Sequence, residues 1–168
     1  MFALGVDPGL SRCGYGVVAR TRGGLAVSSA GVIRTPPADP LAARLAALFS
    51  ELRALLAEAQ PDVVVVERVL FQANACTAMA VGQASGVALV AAFQAGCPVV
   101  QYSPNEVKQA VTGYGSATKE QVQRMVQSLL HLPDPPRPPD VADALALAIC
   151  HLTGTGLRAA VAAAGVAP

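Results

Sequence analysis

The 168-residue sequence contains no tryptophan, few aromatic residues (4%) and few charged ones (14%). With 53% hydrophobic residues, that scarcity of charge excludes a disordered chain and implies one domain with a real buried core. Four cysteines, at 13, 76, 97 and 150, form no Cys-x-x-Cys pair and do not cluster with His131 or His151. This argues against zinc or a disulfide framework and for reduced thiols in a cytoplasmic protein. The opening MFALGVDPG lacks a basic stretch, and its apolar run is too short for a secretory leader. No charge occurs from Val69 to Asn105, but Gln72, Asn74, Gln83, Gln94 and Gln101 interrupt the segment and Gly96-Cys97-Pro98 breaks it. A membrane span needs about twenty predominantly apolar residues, so a buried helix and strand are expected instead, with no membrane partner.

Excess positive charge is also missing. The formal net charge is +1, from twelve basic and eleven acidic residues, which alone points to no polyanionic partner. Setting aside four acids singled out below leaves twelve basic against seven acidic residues, a difference of +5. Two divalent ions bound at those acids would give the same total, because the charge of an ion belongs to its site.

What is present reads as alternating elements. Phe2–Val6 is a short apolar strand ending at Asp7-Pro8-Gly9, and Pro8 keeps Asp7 extended. Gly14–Arg20 and Leu25–Ile33 are β-rich and separated by the hairpin signal Arg22-Gly23-Gly24, so three antiparallel strands open the chain. Leucines at 41, 45, 48, 52, 55 and 56 mark one face of a helix from Pro40 to about Ala59. Val63–Val66 is a strand buried on both faces and ending in Glu67. Residues 75–95 read as a helix and Pro98–Tyr102 as a strand, which implies a parallel crossover. Helices over Glu106–Val111 and Lys119–Leu130, a proline-rich loop over Pro133–Pro139 and a final helix over Asp140–Leu152 complete a mixed α/β sandwich of residues 1–153. The Gly/Ala-rich residues 154–168 are expected to form a loose tail.

Four acids carry the chemistry. Asp7 and Glu67 each end an apolar strand, where charge is costly unless paired or metal-bound, although a strand-end acid can also be merely solvated. Asp140 and Asp143 lie three apart at a helix start and so share a face. An aspartate there is also a routine cap, but Asp143 sits one turn inside an apolar run. Clustered carboxylates repel one another, and divalent cations remove the conflict. Oxygen donors without Cys or His suit hard ions, Mg²⁺ or Mn²⁺. Two such ions, about 4 Å apart, can activate a water and stabilise the leaving 3′ oxygen of a phosphodiester.

The order of these acids and their surroundings resemble the RuvC-type Holliday junction resolvases. The matching pieces are Gly5-Val6-Asp7-Pro8-Gly9, Gly14-Tyr15-Gly16-Val17, Glu67, Asn74, Gly82-Gln83-Ala84, Gly86-Val87-Ala88 and Val107-Lys108-Gln109. Gly113, Gly115-Ser116-Ala117, Lys119, Gln121-Val122, Met125-Val126 and Asp140-Val141-Ala142-Asp143-Ala144-Leu145-Ala146 complete the series, from about residue 2 to 152. The resemblance implies a ribonuclease-H-like fold with a mixed five-stranded sheet, and a metal-dependent endonuclease that resolves four-way junction DNA by paired symmetric cuts in recombination and repair. It further implies a homodimer working with the RuvA-RuvB branch-migration complex. Asp7, Glu67, Asp140 and Asp143 match the family's metal-binding carboxylates, for two Mg²⁺ per site. Lys108 and Lys119 match its catalytic and DNA-binding basic residues, and Leu70 and Phe71 its hydrophobic wedge. Gly82 and Gly86 fall where the resemblance places a dimer seam. Leu70 stands where an aromatic residue is usual, and Ala73 and Ser85 replace a frequent Lys and Arg, which should remove phosphate contacts.

Three other readings compete with this one. A ribonuclease-H-like enzyme acting on RNA or hybrids would share the site. An actin-like ATPase would need a second lobe, for which 168 residues leave no room. A non-catalytic junction-binding protein would have no need of all four acids.

Overall fold

The computed structural model describes residues 1–69 and 75–163. Among them run β1 (Phe2–Asp7), β2 (Arg12–Thr21), β3 (Gly24–Arg34), α1 (Leu41–Ala59), β4 (Val63–Glu67), α2 (Ala75–Gln94), β5 (Val99–Tyr102), α3 (Pro104–Thr112), α4 (Lys119–Leu129) and α5 (Pro139–Ala163). The strands form one sheet in the order β3-β2-β1-β4-β5. The first three pair antiparallel, whereas β4 joins β1, and β5 joins β4, in parallel. This is the expected sequence of hairpins followed by crossovers.

Side chains alternate between the two faces of a strand, and this sorts the core into two layers. Leu4, Val6, Val17, Val64 and Val66 point toward Leu48, Leu52 and Leu56 of α1 and toward the alanines 84, 88, 91 and 92 of α2. Ala3, Val18, Val63 and Val65 point the other way, toward Leu145, Ala148, Ile149 and Leu152 of α5, with Val107 and Val111 of α3 and Val122 and Val126 of α4 in the same cluster. All four valines of β4 are buried, as a strand covered on both faces requires. Helix α5 can approach the sheet closely because three strand positions have no side chain. A Cβ at Gly5 would stand 1.9 Å from the Ala144 carbonyl oxygen, and one at Gly14 2.1 Å from that of Asp140.

Several boundaries differ from expectation. Helix α5 continues to Ala163 and does not stop at Leu152; the Ala-rich sequence has high helix propensity, and Gly154 and Gly156 lower it without breaking the helix. Helix α3 begins at Pro104 and not Glu106, because Ser103 and Glu106 form a reciprocal capping box with Pro104 at the first turn. Leu41, counted on the apolar face of α1, is 45% exposed. Ser85 is buried on α2 beside the inward-facing Ala84. Among the described residues no helix is long and apolar enough to cross a membrane.

Candidate active site

Strands β1 and β4 run parallel in the register Val6↔Val66, so their last residues, Asp7 and Glu67, end side by side on the α5 face. Opposite Asp7 in the antiparallel ladder is Gly14, which leaves room for the first turn of α5. That turn and the next bring Asp140 and Asp143 over the strand ends. Asp7, Glu67 and Asp143 line one cleft of about 340 Å³ together with Lys108 of α3 and Lys119 of α4. Val107, Val122, Ala146 and Leu147 supply its apolar wall. Lys119 is held in place by the capping box of Thr118 and Gln121, and its Nζ lies 3.4 Å from Asp143 Oδ2.

The cleft is electrostatically crowded. Burial pushes the Asp7 carboxyl up to about 7, and the charges of Glu67, Asp143 and Asp140 push in the same direction against the opposing Lys119. Glu67 is also raised, first by burial and then by Asp143. Lys119 is raised chiefly by the Asp143 charge. Asp140 lies close enough to act on Asp7, but its carboxylate accepts a hydrogen bond from Arg12 Nη2 at the rim. Three of the four acids therefore share the cleft and the fourth stands beside it. Among the described residues no three Asp, Glu, His or Cys side chains close around a single point as a ready ligand set. Like charges resist such convergence, and the two aspartates of α5 each lean on a cation. The donors that face the cleft are carboxylate oxygens with no His or Cys, which fits a hard divalent ion.

A family model described as crossover junction endodeoxyribonuclease RuvC matches residues 3–151. The chain belongs to the RuvC family. A relative of that name from Salinispora arenicola is 54% identical over 165 residues, covering 98% of this chain and 94% of its own. The structure of Thermus thermophilus RuvC matches with a TM-score of 0.87 at 38% identity, covering 94% of this chain and 97% of that one. The same RuvC in complex with a Holliday junction substrate matches with a TM-score of 0.89, also at 38% identity, covering 94% and 96%. The fold is thus ribonuclease-H-like, as expected. The activity is that of a crossover junction endodeoxyribonuclease, a divalent-metal nuclease of DNA recombination and repair.

In this RuvC chain the sequence singled out Asp7, Glu67, Asp143, Lys108 and Lys119 for one site, and the fold brings all five to one cleft. Leu70 and Phe71, expected as the wedge, lie outside the described residues, as does Ala73. Sequence reasoning missed Arg12, which as a lone arginine at the start of a strand gives no signal. It also passed over the steric role of Gly5, Gly14 and Gly16, whose signal was glycine at alternate positions of adjoining strands. Cys13 is buried and does not line the cleft, and burial pushes its thiol up to about 12, away from the thiolate that a nucleophile needs. Neither histidine lines the cleft, and buried His151 meets Tyr102 Oη at 3.1 Å through Nδ1. A larger cavity of about 550 Å³ lies by the ends of α1 and α2, where β4 and β5 begin. Its single acid, Asp62, already accepts from the Phe2 amide, so it offers no clustered donors.

Proposed function

We propose that Asp7, Glu67, Asp140 and Asp143 hold two divalent ions, Mg²⁺ or Mn²⁺, and that this site resolves four-way junction DNA by paired, symmetric phosphodiester cuts. The observation that carries the reading is the cleft itself, in which three acids and two lysines meet and Asp7 is driven to about 7 by burial and by its neighbours. When bound, the ions supply an activated water and charge stabilisation for the leaving 3′ oxygen. The strand ends fix Asp7 and Glu67, because a sheet ladder holds side chains more firmly than a loop does. Lys108 and Lys119 draw a phosphate into the cleft and balance its charge, and the apolar wall limits water around it. Leu70 and Phe71, three and four residues beyond Glu67, act as the wedge that unstacks bases near the crossover. Junction recognition runs through backbone shape before any base preference.

The active form is a two-fold homodimer, which sets two sites to cut strands of like polarity. Support comes from α2, where Met79, Val90 and Phe93 are 65%, 51% and 81% exposed. With Gln83 and Gly86 they follow a spacing of four, three, four, three, the seam of a helix pair. Among the described residues a Cβ at Gly82 or Gly86 would meet nothing within 4 Å, so neither glycine is needed for packing against them. Phe93→Asp is expected to turn a dimer into a folded monomer by sedimentation velocity. The dimer works in the cytoplasm with the RuvA-RuvB complex, a reading supported by family membership.

The direct test is Asp7→Asn on a synthetic mobile junction with Mg²⁺. Cleavage is expected to fall by about a thousandfold or more while junction binding survives. A variant that cuts at the wild-type rate would overturn the site assignment.

A further inference from the structure

One corner of the molecule, beside the cleft, carries three arginines, of which Arg12 alone is paired with a carboxylate among the described residues. Arg12 opens β2 and Arg34 closes β3, and the two are direct partners in the antiparallel ladder. Cross-strand partners share a face, so both lie on the α5 side of the sheet, the side of Asp7 and Glu67. Like charges placed directly opposite are unfavourable. Arg12 is answered by Asp140. Arg34 is exposed, and among the described residues its guanidinium has no ion pair and no hydrogen bond.

The third arginine ties the corner together. Arg44, in the first turn of α1, donates from Nε to Thr35 Oγ1 at 3.0 Å and from Nη2 to Ser11 Oγ at 2.6 Å. Thr35 is buried and donates in turn to the Leu10 carbonyl, while its amide reaches the Ser11 carbonyl at 3.3 Å. The turn before Arg12 and the turn after Arg34 are thereby fixed to each other. Among the described residues no carboxylate pairs with Arg44, and Asp39 in the same connection pairs with neither Arg34 nor Arg44. A rigid platform with uncompensated positive charge results.

We propose that this corner is a phosphate-binding surface, which grips the DNA backbone on the β3 side of the cleft through Arg34 and is built by Arg44, Ser11 and Thr35. The partner is the phosphate backbone of the strand leaving the cleft. Arg34 lies two strands from Asp7 and two residues beyond the position opposite it, roughly 12 Å at the usual strand spacings, within a few nucleotide steps of a phosphate in the cleft. Lys108 and Lys119 stand on the far side, from α3 and α4, so the backbone is held on both sides of the cut. This inference rests on the junction-cutting reading above.

The test measures junction affinity against salt by fluorescence anisotropy, in the full-length Asp7→Asn background so that the DNA stays intact. Adding Arg34→Ala is expected to lower the slope of log K against log salt by about 0.9 for each protomer that loses its contact. Between 50 and 200 mM salt the parent then loses roughly three- to fourfold more affinity per contact than the variant. Arg34→Lys restores the slope. Arg22→Ala, in the hairpin at the opposite end of β2 and β3, leaves it unchanged. Unaltered melting temperatures show that folding is not the cause. An Arg34→Ala slope equal to the parent's overturns the surface, and so does an equal drop for Arg22→Ala. Wild-type cleavage of the same junction with Mg²⁺ separates this from the wider reading: if the wild type cuts and the slopes do not move, only the surface fails, and if it neither binds nor cuts, both fail.

Discussion

The two faces of the sheet are built from the same strands in opposite ways. On the α1/α2 side, alternate residues are bulky, with Leu4, Val6, Val17, Val64 and Val66 meeting three leucines of α1. On the α5 side β1 and β2 present Ala3, Gly5, Gly14, Gly16 and a single bulky residue, Val18, and the backbone of α5 comes down onto Gly5 and Gly14. Burying a leucine or valine contributes about 1.5–3 kcal/mol, so in β1 and β2 the first face holds most of the stability the strands can give. The second gives up that gain so that Asp140 and Asp143 arrive where β1 and β4 end. One face is built for cohesion and the other for placement.

That division is open to direct attack. Gly14→Ala should have the largest effect on function, because its Cβ would stand 2.1 Å from the Asp140 carbonyl oxygen and 2.7 Å from its carbon. Both are backbone atoms, so the first turn of α5 must move. A displacement of about 1 Å at a catalytic group can cost on the order of a hundredfold, and single-turnover cleavage should fall by that much or more. The stability loss is expected to be smaller, about 1–3 kcal/mol, as for other overpacked cores. Leu52→Ala, on the other face and 1% exposed, should do the reverse. Denaturant melts should show a loss of about 2–5 kcal/mol, while cleavage per folded molecule stays near the wild-type value. Equal losses of activity in the two variants would erase the distinction between the faces.

The bulky face was the more legible of the two in the sequence. Leucines 48, 52 and 56 announced α1 by their spacing, and four consecutive valines announced a strand covered on both sides. Asp7 and Glu67 were legible for a related reason, since a charge closing an apolar strand stands out. The placement face was harder to read. A glycine that admits a helix backbone looks like any glycine until the partner is known, and the meeting of Arg12 with Asp140 spans 128 positions of chain. The end of α5 was misread because Gly and Ala together suggest a loose tail, although alanine is the strongest helix former.

A subtler consequence of placement is a pH-dependent cost at Asp7. Its carboxyl is raised from 3.8 to about 7 in the fold, so the folded state holds a proton that the unfolded chain has released. The associated stability is complete below about pH 4 and is lost as pH rises through about 7. Asp7→Asn, which keeps the shape without the charge, should therefore melt higher than wild type at pH 8 in the presence of a chelator. A difference of a few kcal/mol would appear as roughly 5–10 °C for a chain of this size. The gap should narrow as the buffer is taken from pH 7 toward pH 4, where both side chains are neutral. Millimolar Mg²⁺ at pH 8 should close it from the other direction by stabilising the wild type more than the variant, because a ligand that binds only the folded state raises its melting temperature. A gap that is flat with pH would mean that Asp7 is already charged and well accommodated in the cleft, and that its neighbours do not crowd it.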